Sequence, residues 1–469
     1  MTFNDDTICA VSTAPGVGGI AVIRISGAQA RQIVDRVWRG KRLDGVASHT
    51  AHLGSIVDES DEVIDSAVAT VFCAPASFTG DDVVELSVHG SAWIQRETVQ
   101  LLVRQGCRIA EPGEFTRRAF AAGKLDLAEA EAVADVIASS SRAAHRMAMS
   151  QMRGDFSRRL ESLRERLLEL ASLLELELDF SEEDVEFASR EKLRELADEI
   201  HDVVARLASS FATGAALKEG VPVAIVGATN AGKSTLLNRL LGDDRAIVSD
   251  IHGTTRDIIE DRIEIGGVLF RLIDTAGLRD TTDVVESLGI DRTVKQIDKA
   301  AIVVWVIDPA ATDDTLRDTW QRISAHITEG QHLIIAVNKS DLRATSGNHA
   351  EAVRDSIETA ALLPEGFTVV NISAATGDGI DALHRALIEA SGVNSWQGDI
   401  LVTNARHYEA LTRALDSIDR VIQGLAAGIS GDFIAQDVRE TIHHLGTITG
   451  AITTTDILST IFSRFCIGK

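Results

Sequence analysis

At 469 residues the chain is long enough for several domains, and the 45% of its residues that are hydrophobic can build their cores. Its 70 acidic side chains outnumber 46 basic ones and give a formal net charge of −24, which argues against a simple RNA-coating protein, because phosphate binding requires clustered Lys and Arg. The 4 cysteines show no C-x-x-C spacing and no apolar run reaches the roughly 18 residues of a membrane span, so we expect no disulfides, no zinc site, no membrane span and a cytoplasmic location.

The first part of the chain, residues 1–118, predicts a separate α+β domain. Segments rich in Ile and Val and separated by turn residues predict its strands, at 8–27, 51–58 and 63–90. Two helices are predicted in the same part of the chain, over Ala28–Trp38 and Ser91–Gln105.

From about Ala119 the pattern changes to that of long amphipathic helices. Apolar residues recur every three or four positions with charges between them, over 127–152, 156–180, 189–211, 407–425 and 432–450. These stretches predict one helical domain in two parts, 119–218 and 392–469, and the second part carries the terminal FCIGK.

Strands and helices alternate between those two parts, over residues 219–391. After the apolar run VPVAIV at 221–226, the predicted strands lie at 257–265, 268–275, 301–308, 332–339 and 367–373. Alternating elements of this kind predict a doubly wound nucleotide-binding domain, here inserted into the helical domain.

A phosphate-binding loop follows the first of these strands. GATNAGKS at 227–234 matches the pattern GxxxxGK[ST], in which Gly227 and Gly232 let backbone N–H groups close on phosphate oxygens. Lys233 neutralises the outer phosphates, and the Ser234 hydroxyl can bind magnesium. The other loop residues expected to contact the nucleotide are Asn230, Ala231 and Thr235.

Two later motifs select guanine over adenine. In NKSD at 338–341 the Asp341 carboxylate can accept from both the ring N–H and the exocyclic amine of guanine, a pair that adenine lacks. Asn338 is expected to brace the loop, and Lys339 to lie over the base. The stretch SAA after a further strand can present backbone N–H groups to the guanine carbonyl, and consists of Ser373, Ala374 and Ala375.

The motif DTAG and a pair of threonines complete the predicted site. Asp274 is expected in the magnesium shell, the Gly277 N–H on the γ-phosphate, and one hydroxyl of Thr254 or Thr255 on magnesium. Leu278 follows DTAG where Ras-like GTPases carry the glutamine that orients water, so another group must orient it. Two further contacts are expected within DTAG, from Thr275 and Ala276.

Four stretches resemble the MnmE (TrmE) family of tRNA-modification GTPases: GTTRD, DTAGLRDTTDVVESLGIDR, the terminal FCIGK, and PGEFTRRAFAAGKLDLAEAEAVADVI at 112–137. The resemblance extends over the whole chain and its three-part layout. It implies an N-terminal α+β folate-binding-like domain, a long-helix domain, and an inserted Ras-like doubly wound P-loop GTPase domain.

The resemblance also implies a potassium-dependent hydrolysis step between facing G domains. Asn230 is then the side-chain ligand of potassium, and Glu286 is the catalytic glutamate that positions or polarises water. Backbone oxygens from residues 249–254 complete the potassium site, with Ser249, Ile251 and Thr254 as the expected positions.

In this family the N-terminal domain binds tetrahydrofolate and pairs two chains. The positions that match its folate contacts are Arg24, Glu85, Lys124 and Lys469. A carboxylate suits the adjacent N–H groups of a pterin, and Arg and Lys suit the carboxylate tail of the ligand. Ala121 and Ala122 depart from the Leu and Asn usual in the family. Cys466, in the terminal FCIGK, is implied in the modification chemistry.

The function that the resemblance implies is addition of a (carboxymethyl)aminomethyl group to carbon 5 of the wobble uridine of certain tRNAs. The one-carbon unit comes from 5,10-methylenetetrahydrofolate, and the partner is the flavoprotein MnmG, which carries FAD and forms a heterotetramer with a homodimer of the chain. Two alternatives remain: a GTP-gated RNA or ribosome assembly factor without covalent chemistry, and a purely regulatory GTPase.

Overall fold

The fold comes from a computed structural model, which describes residues 6–179, 190–243, 261–273, 296–328, 330–342, 367–393, 400–453, 455–463, 465 and 468. The chain divides into two compact units. Unit 1 comprises Met1–Ile137, Ser150–Ile200 and Asp416–Lys469, and unit 2 comprises Ala138–Met149 and His201–Leu415.

The described helices begin and end as follows. They are α1 Ala30–Val37, α2 Ala92–Arg104, α3 Glu114–Ala121, α4 Leu127–Ala138, α5 Arg142–Met152, α6 Asp155–Asp179, α7 Arg190–Ser209, α8 Phe211–Glu219, α9 Lys233–Asp243, α10 Asp313–Ser324, α11 Ile380–Ala390, α12 Ala405–Ala427, α13 Gly431–Thr449 and α14 Thr455–Phe462. None of the helices in this part of the chain is long and apolar enough to cross a membrane.

Unit 1 begins with a seven-stranded sheet. Its strands are β1 Ile8–Val11, β2 Gly18–Ser26, β3 Trp38–Gly40, β4 Thr50–Val57, β5 Val63–Phe72, β6 Val83–Gly90 and β7 Arg108–Ile109. The order is β3-β4-β5-β6-β2-β1-β7, and every pair is antiparallel except β1 with β7. The two predicted helices are confirmed as α1 and α2, with ends within two residues of those expected.

Helices α1 and α2 supply the core on one face of this sheet. Alternate residues of β5, such as Ala67 and Ala69, are buried there together with Ile33 of α1 and Leu101 and Leu102 of α2. The period of two places the intervening residues on the other face, where Val68 is exposed. This other face carries the N-terminal candidate residues.

The helical stretches predicted from periodicity are confirmed, with one interruption. The first of them, 127–152, is divided into α4 and α5 at residues 139–141, where three serines follow one another. Serine hydroxyls bond to nearby backbone groups and so favour helix ends, and the Ser141 hydroxyl accepts from the Ala144 N–H at 3.2 Å. Helix α3 begins at Glu114, before the change of pattern at Ala119.

Unit 2 contains a six-stranded sheet with helices on both faces. Its strands are β8 Val221–Val226, β9 Asp261–Ile265, β10 Val268–Leu272, β11 Ile302–Ile307, β12 His332–Val337 and β13 Thr368–Asn371. The order is β13-β12-β11-β8-β10-β9, and only β9 runs antiparallel to its neighbour. Apolar residues of α9 and α11 cover one face and those of α10 the other. The predicted doubly wound fold is confirmed.

The carboxyl ends of β8, β11, β12 and β13 lie at the same edge of this sheet, because these strands are parallel. Each of these ends leads into a segment with polar or glycine residues. Ligands of doubly wound folds bind at this edge, and the motifs predicted from the sequence follow β8, β12 and β13.

Candidate functional site

The loop between β8 and α9 has a backbone that only particular residues adopt. Gly232 has φ of +98°, and a Cβ placed on it would lie 2.1 Å from Asn338 Nδ2. Gly227 has φ of +148°, and its Cβ would lie 2.3 Å from the Val306 oxygen. Both positions therefore require glycine, and the loop is folded tightly against the ends of β11 and β12.

Lys233, the first residue of α9, turns its ammonium group back into this loop. Its Nζ donates to the carbonyl oxygens of Gly227 at 2.9 Å and Ala228 at 2.8 Å. Burial lowers the pKa of Lys233, because the charged form is partly removed from water. Phosphate oxygens in the loop would compensate this charge. Ser234 is the next residue, and its side chain is half-buried.

Asn338 joins three segments of the site. Its side chain is buried, with 2% exposure, and its Nδ2 donates to the Ala231 oxygen at 2.8 Å. Its Oδ1 accepts from the Ala374 N–H at 2.9 Å. One amide thus connects the phosphate loop to the NKSD and SAA segments, because it uses both its donor and its acceptor.

The other residues of NKSD and SAA are also held together. The Ser373 hydroxyl donates to Asp341 Oδ1 at 2.5 Å, and Asp341 itself is exposed. Lys339, with φ of +60°, places Nζ 2.7 Å from Asp308 Oδ2. The carboxylate and the lysine that were predicted for the base therefore each have a partner that fixes their position.

Two side chains of this arrangement were not predicted. Asp308 ends the apolar stretch of β11, and its position at the carboxyl end of a parallel strand was a usable signal. Arg239 lies inside α9 and donates to the carbonyl oxygens of Ala374 and Ala375. No motif in the sequence marks Arg239, since its contact is between segments distant in the chain.

Thr235, also predicted to contact the nucleotide, is exposed in the first turn of α9. Nine other predicted residues of the nucleotide site lie outside the described part of the chain. They are Ser249, Ile251, Thr254, Thr255, Asp274, Thr275, Ala276, Gly277 and Glu286. Their roles remain predictions.

Two of the predicted metal ligands, Asn230 and Ser234, lie in the described part of the chain. Asn230 has φ of +65° and an exposed side chain, so the oxygen of its side-chain amide can reach an ion beside the loop. The Ser234 hydroxyl stands at the start of α9, where a magnesium ion beside the phosphates would meet it. Within the described ranges, no group of three or more His, Cys, Asp or Glu residues could hold a metal ion.

A second candidate site lies on the face of the N-terminal sheet that α1 and α2 leave open. Arg24 of β2 and Glu85 of β6 are directly opposite each other, and Arg24 Nε and Nη2 both lie 2.8 Å from Glu85 Oε1. The Arg24 guanidinium is 5.6 Å from the ring centres of Phe78 and Phe115. Both contacts of Arg24 use Oε1, which leaves Oε2 to accept from the N–H groups of a ligand.

The loop 77–82 borders this pair and is anchored to the sheet through Ser26 and to α1 through Arg31. The Thr79 and Ser26 hydroxyls are 2.7 Å apart, and Arg31 Nε donates to Asp82 Oδ2 at 2.8 Å. Lys124 is next to the same loop, since a Cβ placed on Gly80 would lie 3.8 Å from Lys124 Cε. The structure thus brings Arg24, Glu85 and Lys124 to one loop.

The end of the chain packs on the same domain. The Ser12 hydroxyl donates to the Gly468 oxygen at 3.0 Å, just beyond β1, in which Ala10 lies opposite Arg24. Phe465 is buried against Phe462 of α14. Cys466 and Lys469 lie outside the described residues, and their roles remain predictions.

A doubly wound sheet with a phosphate loop, NKSD and SAA at one edge defines a P-loop protein of the GTPase class. Two family models match the chain: the MnmE helical domain over residues 127–466, and the GTP-binding protein TrmE N-terminus over 7–124. The chain belongs to the MnmE (TrmE) family of tRNA modification GTPases, as the resemblance of its motifs predicted.

Individual relatives match this chain over almost its full length. The tRNA modification GTPase MnmE of Parabacteroides distasonis is 53% identical, with 99% of this chain and 100% of the relative covered. The protein of the same name from Bacteroides fragilis is 52% identical, again with 99% and 100% covered. Among solved structures, the G domain of the T. maritima FeoB iron transporter is 23% identical, with a TM-score of 0.26, and covers 36% of this chain and 98% of its own.

Proposed function

We propose that this GTPase of tRNA modification works with the flavoprotein MnmG to add a (carboxymethyl)aminomethyl group to carbon 5 of the wobble uridine of certain tRNAs. The one-carbon unit comes from 5,10-methylenetetrahydrofolate, and FAD is carried by the partner only. The observation that carries the proposal is that relatives called tRNA modification GTPase match this chain from end to end, across both candidate sites.

In the hydrolysis step, the backbone of the phosphate loop and Lys233 bind the phosphates of GTP, and Asp341 binds the base. Ser234 and Thr255 hold magnesium, and Asn230 holds potassium together with backbone oxygens of Ser249, Ile251 and Thr254. Bound cations supply positive charge where negative charge develops on the phosphates. Glu286 orients the attacking water, a role for which Leu278 has no suitable group.

At the folate site, the free Oε2 of Glu85 accepts from the N–H groups of the pterin, while Arg24 holds Oε1 in place. The half-exposed ring of Phe78 beside Arg24 offers the flat apolar surface that a pterin needs. Lys124 and Lys469 then bind the acidic tail of the folate, and Cys466 takes part in the modification chemistry.

The assembly is a homodimer that binds MnmG as a heterotetramer in the cytoplasm. The net charge of −24 supports a division of labour in which the partner provides most of the surface for tRNA phosphates. GTP hydrolysis opens and closes the facing G domains, and the helical domain transmits this motion.

Mass analysis of tRNA nucleosides tests the proposal. In a strain that lacks this chain, the carbon-five substituent of the wobble uridine should disappear, and re-expression should restore it. A chain truncated before Cys466 should turn over GTP normally and fail to restore the modification. Unchanged nucleosides in the deletion strain would contradict the proposal and favour a GTP-gated RNA or ribosome assembly factor.

The cation requirement has its own test. Hydrolysis of GTP should be faster in potassium than in sodium at matched ionic strength, and Asn230→Ala should remove the difference. Equal rates in the two salts would refute the potassium site.

Calorimetry of the intact protein with 5-formyltetrahydrofolate tests the folate site, and an absence of heat would remove it from the proposal.

A further inference from the structure

Arg239 connects the helix after the phosphate loop to the segment that follows β13. Its Nε donates to the Ala374 oxygen at 3.3 Å, and its Nη2 donates to the Ala375 oxygen at 2.5 Å. The guanidinium also lies beside Gly377, where a Cβ would be 3.8 Å from its central carbon. A planar guanidinium can serve two neighbouring carbonyl groups at once, which the single ammonium of lysine cannot do in the same geometry.

The N–H groups of the same segment are nearly all occupied. The Ser373 N–H donates to the Asp378 oxygen, the Ala374 N–H to Asn338 Oδ1, and the Thr376 N–H to the Ser373 hydroxyl. Among the described residues, the N–H of Ala375 is the donor in this segment that makes no hydrogen bond. It is therefore the N–H that can donate a hydrogen bond to the carbonyl oxygen at carbon 6 of guanine.

We propose that Arg239 is a positioning residue for guanine recognition, which fixes the peptide group between Ala374 and Ala375. The carbonyl of Ala374 and the N–H of Ala375 belong to this one trans peptide and point in opposite directions. Arg239 holds the carbonyl, so the N–H is turned away from α9. A carbonyl that accepts a charged donor also polarises its own peptide and strengthens the N–H as a donor.

Without Arg239 this peptide can rotate, and its carbonyl can then face the carbonyl of guanine, where two acceptors repel each other. The contribution of Arg239 is therefore specific to the oxygen at carbon 6. This inference deepens the nucleotide site of the proposed function and does not depend on folate, potassium or MnmG.

The experiment measures the affinity of the full-length chain for GDP and for 6-thio-GDP by calorimetry. The sulfur of 6-thio-GDP is a weak acceptor, while its other base edges are those of GDP. The variants are Arg239→Ala and Arg239→Lys. Arg322→Ala is the matched control, because Arg322 is an exposed arginine of α10 in the same unit and forms an exposed ion pair with Asp318 one turn away. Thermal unfolding of each variant checks the fold.

For Arg239→Ala we expect about a tenfold loss of GDP affinity, the size of one hydrogen bond to a charged group, and less than about a threefold loss for 6-thio-GDP. Arg239→Lys should lie between the wild type and Arg239→Ala, and Arg322→Ala should bind both nucleotides normally. Unchanged GDP affinity in Arg239→Ala, or equal losses for the two nucleotides, would overturn the inference. If the tRNA modification test failed, the affinities for GDP and 6-thio-GDP could still be compared between the variants. The proposed role in tRNA modification and the proposed role of Arg239 can therefore be refuted separately.

Discussion

Gly232 occupies a place in the phosphate loop that no larger residue can share. Its φ of +98° is strained for other residues, and a Cβ would lie 2.1 Å from the buried Nδ2 of Asn338. Because Asn338 connects the loop to both guanine segments, any shift of its amide disturbs the whole site. We expect Gly232→Ala to lower GDP affinity at least about 100-fold, through loss of two or more hydrogen bonds, as measured by calorimetry.

Gly242 is the matched control for that substitution. It lies near the end of α9, and a Cβ placed there meets nothing within 4 Å. Alanine stabilises a helical position by roughly 0.5–1 kcal/mol relative to glycine. Gly242→Ala should therefore bind GDP normally and melt at the same or a slightly higher temperature. A similar loss of affinity in both variants would show that the packing around Gly232 is not the cause.

Asp308 is predicted to act on the nucleotide through Lys339. Its Oδ2 lies 2.7 Å from Lys339 Nζ, while its Oδ1 accepts from the Ala310 N–H at 2.9 Å. Asp308→Asn keeps an oxygen for Ala310 but removes the negative charge that pairs with Lys339, the residue predicted to lie over the base. We expect GDP affinity to fall by about three- to tenfold, since the pair is only partly buried, and the loss to shrink in high salt. A loss that is independent of salt would contradict the role of the charge.

At the scale of elements, α3 is held by a buried carboxylate. Glu114 is 2% exposed, and its oxygens accept from Arg108 at 2.6 and 3.0 Å and from Arg118 at 3.1 Å. Burial alone raises the pKa of Glu114, but hydrogen bonds from Arg108, the Glu111 N–H and Arg118 outweigh it and lower the pKa below its usual value. Glu114→Gln should destabilise unit 1 by about 2 kcal/mol, because Arg108 and Arg118 lose a charged hydrogen-bond acceptor, although both keep their ion pairs with Asp6.

The pH dependence of that effect follows from the lowered pKa. The stability that ionised Glu114 contributes is complete above the unfolded-state pKa of about 4.3 and is lost as the pH falls through the lower folded-state value. Urea denaturation of the full chain should therefore show a constant difference between wild type and Glu114→Gln from pH 7 to pH 5, and a smaller one below about pH 4. Glu161→Gln removes an exposed pair with Arg164 and should have little effect at any of these pH values.

The helices and strands were largely predictable from the sequence, but the side-chain contacts between them were not. Periods of two and about 3.6 residues identified β5 and α13, because one face of each is buried. Likewise, the phosphate loop and NKSD are local motifs whose spacing is dictated by one ligand. Arg239 could not be found in this way, since the carbonyl groups it contacts are distant in the chain. Asp308 gave only the weaker signal of its place after a buried strand, and its pairing with Lys339 depends on packing.

At the scale of the whole molecule, the open face of the N-terminal sheet is the surface through which we expect the proposed homodimer to pair. Leu53 is 75% exposed, Ile20 69% and Val68 37%, and Leu53 and Val68 lie opposite each other on β4 and β5. The solvent face of an antiparallel sheet is usually polar. Apolar residues on neighbouring strands instead favour an interface, and in a two-fold dimer the same patch faces its own copy.

Leu53→Glu should therefore separate the proposed homodimer, because a two-fold interface through this face would bring two buried carboxylates together and lose two buried leucines. Burial of a leucine contributes about 1.5–3 kcal/mol, so the dissociation constant should rise at least about 100-fold, as measured by sedimentation velocity at several concentrations. Val103→Glu on α2 is the control, because Val103 is 38% exposed and lies on the helical side of the sheet. A dimer that survives Leu53→Glu but not Val103→Glu would place the interface on the helices and rule out pairing through the open face.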